Sequence, residues 1–321
     1  MDSKEEADRL NRPNLSDIRE ARTAVYRSAI RTPLVRLNVL DSQIYLKLEN
    51  LQPIGSFKIR GAANAIAHTD PGALKLGLVT ASAGNMAQGV AWMARELGIP
   101  CTVITPETAP QTKVDAVERL SGRVLKVPVD DWWRAFEERK YPGVAGTFIH
   151  AFDDPYVMAG NGTIGLEILE DLPDADAIVI PWGGGGLACG IATAIRELKP
   201  DCRIFAAEVA TAAPLAASLK AGSPQVIEPQ RSFVDGVGGK SVFPQMFSRA
   251  RRLLDGSLVA QVEEVASALK LLVERNRIVA EGAGATPVAC AVAGRAGAGK
   301  IVCVVSGGNI DTSRLIEILA R

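Results

Sequence analysis

Short runs of aliphatic and β-branched residues alternate along most of the chain with longer stretches of helical period. Leu76–Thr80, Cys101–Thr105, Arg123–Val127, Ala177–Pro181, Arg203–Glu208 and Ile301–Val305 predict strands. Between them, Met86–Leu97, Gln111–Leu120, Pro155–Leu169, Leu187–Leu198, Glu263–Asn276 and Asp311–Leu319 predict helices. Such alternation predicts βαβ units, hence an α/β fold of parallel sheets with helices on both faces. No repeat or low-complexity linker interrupts it. Two lobes are expected, one of residues 77–150 inserted into a larger one of residues 1–76 and 151–321.

The 321 residues suffice for a large core, and 47% hydrophobic with 22% charged residues is ordinary for a globular protein. Formal net charge is zero and no Lys/Arg stripe is present, which argues against a nucleic-acid partner. Met1–Asn14 is polar, without the apolar stretch of a signal peptide. The uncharged run Ala177–Ile195 contains Pro181 and four glycines, which suit a strand, turn and helix and not a membrane span. Five scattered cysteines form no CxxC pair, so reduced, mostly buried thiols and a cytoplasmic location are expected.

In parallel α/β folds ligands sit at the carboxyl ends of strands. Three glycine-rich or polar loops fall there: Ser82–Met86, Gly183–Gly186 and Ser306–Asn309. With the loop before Lys58 they are expected to converge on one cleft. In Gly183-Gly184-Gly185-Gly186-Leu187 a strand leads in and a helix leads out, so free N–H groups at the helix start suit a phosphate. A tight strand-to-helix turn is the plain alternative. Gly183-x-Gly185-x-x-Ala188, with Glu208 at the end of the next strand, also satisfies the dinucleotide pattern, which keeps a dinucleotide-dependent oxidoreductase as a competing reading. Gly239-Lys240-Ser241 fails as a P-loop because Val234 stands where the leading glycine belongs.

Pro53 and Gly55 form a turn, and a helical run follows from Phe57 to Ala67. Lys58 therefore stands in a first helical turn, where the positive helix end and nearby Arg60 should disfavour its ammonium form. A neutral amine is what a Schiff-base lysine needs. A solvated surface lysine is the ordinary alternative.

Ser56-Phe57-Lys58-x-Arg60-Gly61, Ser82-Ala83-Gly84-Asn85, the glycine tetrad with Leu187, and Ser306-Gly307-Gly308-Asn309 stand in the order found in fold-type-II pyridoxal phosphate enzymes. The chain resembles their serine/threonine dehydratase and serine racemase branch from about Ser16 to its end. The resemblance implies a tryptophan synthase β-like α/β fold, two parallel-sheet lobes with the cofactor in the cleft between them. Lys58 would hold the cofactor and act as base at the substrate Cα; Phe57 would pack near the pyridine ring. Asn85 would bond the phenolic oxygen, Gly183, Gly184, Gly185, Gly186 and Leu187 would cradle the phosphate, and Ser306 would face the pyridine nitrogen. The loop Ser82, Ala83, Gly84, Asn85 and Met86 would clasp the substrate carboxylate. Because a serine hydroxyl cannot hold the ring nitrogen protonated, elimination is better served than a long-lived carbanion. The implied reaction is β-elimination of water from L-threonine or L-serine, giving a 2-oxo acid and ammonia, with the cofactor's phosphate as proton donor to the leaving hydroxide. A homodimer is also implied.

Departures narrow this. Ile59 replaces an acidic residue of threonine synthases, and Ala83 removes the second acid/base serine of serine racemase, so racemisation is expected to be minor. Met86 stands where threonine dehydratases have histidine; either its side chain only packs inward, or it favours a bulkier substrate such as phenylserine. Trp132 and Trp133 are expected to serve packing. Glu208 matches a metal-binding glutamate, but Pro214 replaces the partner aspartate, which argues against a divalent metal and leaves room for a monovalent cation. Glu281 resembles an acid at the cofactor edge, although Gly282 replaces the usual proline, and Asp235-Gly236 resembles a loop at the cleft. The sequence ends one helix after Ser306–Asn309, so the regulatory domain of biosynthetic threonine dehydratases is not expected.

Overall fold

The computed structural model describes residues 12–320, so most of the polar Met1–Asn14 segment lies outside it. Among the described residues ten strands form two sheets. Strands β1 (Leu34–Arg36), β2 (Ile44–Leu48), β7 (Ala177–Pro181), β8 (Arg203–Val209), β9 (Gly256–Ala260) and β10 (Ile301–Val305) make the larger, in the order β1-β2-β10-β7-β8-β9. Strands β3 (Leu78–Ala81), β4 (Cys101–Pro106), β5 (Arg123–Val127) and β6 (Thr147–Phe148) make the smaller, in the order β5-β4-β3-β6. The pairings are parallel, as expected, except at the edge of the larger sheet, where β1 runs antiparallel to β2.

The helices are α1 (Leu15–Val25), α2 (Lys58–Ala67), α3 (Asn85–Leu97), α4 (Gln111–Glu118), α5 (Val129–Glu138) and α6 (Pro155–Asp171). They continue with α7 (Gly186–Leu198), α8 (Pro214–Ala221), α9 (Pro244–Leu253), α10 (Val262–Leu271), α11 (Gly282–Val292) and α12 (Thr312–Leu319). A single helical turn, Pro71–Leu74, follows α2. Helix α10 passes into a π-helical turn over Leu272–Asn276, which accounts for the single long helix expected there.

The continuous apolar runs of β7 and β10 follow from helices on both faces of the larger sheet. Ala177 and Val179 enter one core with Ala285 and Val288 of α11. Ile178 and Ile180 enter another with Ile164 of α6 and Ile191 of α7. No described helix is long and apolar enough to cross a membrane. All five cysteines are buried, and no disulfide joins them.

Helix α2 is anchored from below by charge. The Arg60 guanidinium, fully buried, donates to Glu49 Oε2 (2.8 Å) and Oε1 (2.8 Å) and to Glu167 Oε1 of α6 (2.6 Å). Lys47 Nζ of β2 lies 2.6 Å from Glu167 Oε2, and the Thr32 hydroxyl donates to Glu49 at 2.6 Å. Two buried cations thus face two buried anions. Removing one partner of such a set leaves an uncompensated interior charge, so the set fixes where α2 begins.

Candidate active site

Strands β2, β10 and β7 are neighbours, and the segments leaving their carboxyl ends meet. The chain after β2 makes an antiparallel bridge from Ser56 to Gly307, the N–H of Phe57 donates to the Ser306 carbonyl (3.0 Å), and that of Gly308 donates to Gly55 (2.9 Å). Lys58 is thereby set beside Ser306. The loop leaving β7 supplies Gly183 to Leu187 and the loop leaving β3 supplies Ser82, Asn85 and Met86; all line one cavity of about 150 Å³ with Phe57, Lys58, Glu281 and Ser306. The predicted convergence is present.

The Lys58 amine donates to the Ala151 carbonyl at 2.6 Å and stands 5.1 Å from the centre of the Phe57 ring. Burial lowers its pKa from 10.5 to about 8, opposed by Glu281, which favours the charged form. The sequence pointed to the helix end and to Arg60 as the cause. Arg60 makes no contribution, because its charge is already matched by Glu49 and Glu167 on the far side of α2.

Asn85, at the start of α3, joins the two sheets across the cavity. Its amide donates to Glu281 Oε1 (2.8 Å) and its oxygen accepts from Asn309 Nδ2 (2.8 Å). Burial raises the Glu281 carboxyl to about 7, against the Asn85 hydrogen bond and aided by Asp235. Two cavity groups, one basic and one acidic, are thus displaced toward neutrality.

In the glycine loop, Gly185 has φ +92° and starts α7 with no side-chain cap and no acidic residue in the first turn. Among the described residues nothing accepts the N–H groups of Gly183, Gly184 and Gly185, which leaves a positive, uncapped edge on the cavity. Packing contributes independently to the glycine run. A Cβ on Gly184 would stand 2.0 Å from the Phe152 ring, and one on Gly185 would stand 2.4 Å from Trp182. A Cβ on Gly186 would likewise stand 2.6 Å from the Phe152 carbonyl, so three of the four glycines are required by neighbours behind the loop.

Other predicted residues are placed differently. Met86 is 1% exposed and packs with Ala62 and Val90 in the core of the smaller sheet, touching the cavity from behind. Ala83 and Gly84 are half-buried between Ser82 and Asn85 and do not line the cavity. Asp235 points away and pairs with Lys113 at 2.7 Å, whereas its neighbour Gly236 lines the cavity. Trp132 and Trp133 belong to an aromatic cluster with Phe136, Phe152 and Phe243, as packing required.

Glu208 is fully buried, and its oxygens accept from the N–H of Leu215 (2.9 Å) and Ala216 (2.8 Å) and from the Ser257 hydroxyl (2.6 Å). It caps helix α8. Burial raises its pKa despite those donors. Neither a ribose nor a metal finds a free carboxylate there, and the dinucleotide reading loses its acid. No cluster of His, Cys, Asp and Glu among the described residues could hold a metal.

Sequence inspection missed Ala151 and Phe152, which line the cavity from the segment joining β6 to α6. The only signal nearby is Asp154-Pro155, an N-cap followed by proline, which marks where α6 begins and says nothing about what precedes it.

Comparison with known proteins bears on this arrangement. The family model described as pyridoxal-phosphate dependent enzyme matches residues 25–307. The chain is 39% identical over 318 residues to an L-threonine ammonia-lyase of Thermotoga maritima, covering 96% of this chain and 78% of that protein. It is 42% identical over 316 residues to an L-threonine ammonia-lyase of Geobacter sulfurreducens, covering 95% and 77%. Among solved structures, maize serine racemase superposes with a TM-score of 0.85 at 31% identity, covering 96% of this chain and 97% of that one.

Proposed function

The chain belongs to the pyridoxal-phosphate dependent enzymes, and from that membership we propose a lyase that eliminates water from a β-hydroxy-α-amino acid, L-threonine or L-serine by default, to yield a 2-oxo acid and ammonia. The observation that carries it is the Lys58 amine, held in a cavity that lowers its pKa to about 8, opposite an uncapped glycine loop. Relatives named L-threonine ammonia-lyase, 39% and 42% identical over most of this chain, support the same reaction.

The cavity fits the cofactor. A reactive amine suits an aldehyde, three N–H groups without acceptors suit a phosphate, and the Asn85 amide and Ser306 hydroxyl suit a phenolic oxygen and a ring nitrogen. Phe57 would pack on the ring and Glu281 would border its edge. When bound, pyridoxal phosphate supplies an electron sink for the Cα–H bond. Lys58 then takes the Cα proton. The loop of Ser82, Ala83, Gly84, Asn85 and Met86, half-buried up to Asn85 and at the uncapped start of α3, holds the substrate carboxylate. Ala83 offers no hydroxyl for protonation from the opposite face, which disfavours racemisation. Asp235 acts from the rim through Gly236. The smaller sheet, within residues 77–150, serves as the substrate-loop domain. We place the enzyme in the cytoplasm as a homodimer, with no requirement for a divalent metal; a monovalent ion is left as an accessory.

The test is 2-oxo acid release from threonine, serine and phenylserine by wild type and Lys58→Ala, with the visible absorbance of bound cofactor followed in parallel. Release and colour in the wild type, both lost in the variant, are expected. A wild type that stays colourless with added pyridoxal phosphate refutes the proposal. Preference for phenylserine selects the bulkier-substrate form of it.

A further inference from the structure

Residues 149–154 carry the chain from the smaller sheet to α6, and their anchoring is two-sided. The Ile149 carbonyl accepts from the Thr80 hydroxyl (2.9 Å) on β3. Asp153 accepts from Gln245 Nε2 (2.8 Å) and Arg249 Nη1 (2.9 Å) on α9, and from Arg139 (3.1 Å) at the end of α5. Between these anchors lies His150, 2% exposed, whose Nδ1 accepts the N–H of Phe152 (3.3 Å) and of Asp153 (2.9 Å). The turn so closed has two products. It directs the Ala151 carbonyl to the Lys58 amine at 2.6 Å, and it seats the Phe152 ring where a Cβ on Gly184 would stand.

We propose that His150 is a positioning residue: as a neutral imidazole accepting two backbone N–H groups, it folds the turn that holds the Ala151 carbonyl on the Lys58 amine and the Phe152 ring behind the glycine loop. The inference rests on Lys58 being the cofactor-binding lysine. An acceptor at Nδ1 places the ring proton on Nε2, and a protonated ring would lose both turn bonds. The surroundings keep it neutral: burial first, then the charges of Arg139 and Lys58, lower its pKa to about 3, against Asp153. Phe136 and Phe152 pack on the ring at 4.4 and 4.9 Å between centres. Glu281 faces the amine from the other side.

Ala151's carbonyl binds the ammonium more strongly than the amine, so losing it should lower the Lys58 pKa further, by about one unit. General loosening of the site would admit water and move the pKa the opposite way, toward 10.5. Uptake of pyridoxal phosphate by the cofactor-stripped full chain needs the neutral amine, so its rate against pH reports this group, with the cofactor's own titrations common to all variants. The wild type is expected to break near 8. His150→Leu, without an acceptor, should break about one pH unit lower, which at pH 7 makes its uptake up to about fivefold faster per productive encounter. His150→Asn, whose Oδ1 can stand in for Nδ1, should return to the wild-type break. An unmoved break in His150→Leu, a break rising toward 10.5, or a displaced break in His150→Asn overturns the inference. If His150→Leu does not fold, His150→Ala, which also lacks the acceptor, takes its place with the same expected and refuting breaks. No uptake by the wild type sinks the proposed function, and this inference with it; normal uptake with an unmoved break sinks only the inference.

Discussion

At pH 7 the cofactor-free protein holds a lysine ammonium where water solvates it poorly, and replacing Lys58 by methionine should stabilise the fold. The folded state binds this proton more weakly than the unfolded chain, with a pKa of about 8 against 10.5. Stability therefore rises with pH between those values, and the penalty is fully present below 8. Two and a half units correspond to about 3.4 kcal/mol at pH 7, and the same relation leaves about 0.8 kcal/mol at pH 10. Methionine removes the charge while keeping most of the packing, but leaves the Ala151 carbonyl without its donor, a cost of about 1 kcal/mol at either pH. The net gain is then about 2 kcal/mol at pH 7 and close to zero at pH 10. Urea unfolding of both proteins, stripped of cofactor, at the two pH values measures it; other groups titrate alike in both and cancel in the difference. A gain equal at pH 7 and pH 10, or a loss at pH 7, would refute the assignment of the shift to burial.

Arg60→Met should cost about 3–5 kcal/mol in urea unfolding, because Glu49 and Glu167 lose their common partner in the interior. Gly184→Ala should lower stability by about 1–3 kcal/mol and weaken cofactor binding measured by absorbance titration, since its Cβ meets the Phe152 ring. Met86→His puts a polar ring at a position 1% exposed and should cost about 1–3 kcal/mol. It should also lower 2-oxo acid release from phenylserine relative to threonine; an unchanged ratio assigns Met86 to packing alone. Dialysis against EDTA should leave activity unchanged, because the Glu208 oxygens are engaged by Leu215, Ala216 and Ser257; loss restored by a divalent ion would contradict that.

What was legible in the sequence followed from local chemistry. Strands buried on both faces, such as β7 and β10, announce themselves as unbroken aliphatic runs, and their bounds were found to the residue. The loops after β3, β7 and β10 were found because glycine, serine and asparagine at a strand end have few other uses. The edge strand β1 was not found: two half-buried residues and an exposed arginine carry no pattern. The partners of Arg60 and Glu208 were not legible for a different reason. Each was judged by what stands near it in sequence, whereas each is neutralised by partners from elsewhere, Glu167 of α6 for Arg60 and the first turn of α8 for Glu208. The sequence marked Lys58 as unusual; only the folded chain shows that burial, and not a neighbouring cation, is the cause. Ala151 contributes through a carbonyl, which no side-chain pattern can reveal.

Polar groups joining the two sheets across the cavity belong largely to the proposed site itself. Asn85 reaches Glu281 and Asn309 at 2.8 Å each, and the rim adds Lys113 to Asp235 at 2.7 Å. Each such bond is worth about 0.5–1.5 kcal/mol, and the exposed pair at the rim less. Their sum is small beside the apolar packing that also joins the two parts, where Ala62 and Ala63 of α2 lie with Met86 and Val90 of α3. The polar bonds also fix Asn85 in the loop proposed to hold the substrate carboxylate. The segment at Ala151 is itself tied to both sheets, by the Thr80 hydroxyl of β3 on one side and by the ion pair of Asp153 with Arg249 of α9 on the other. The Lys58 amine is thus positioned by a crossover held from both sheets, and Asn85, proposed to meet cofactor and substrate, is held on Glu281 and Asn309 of the larger one.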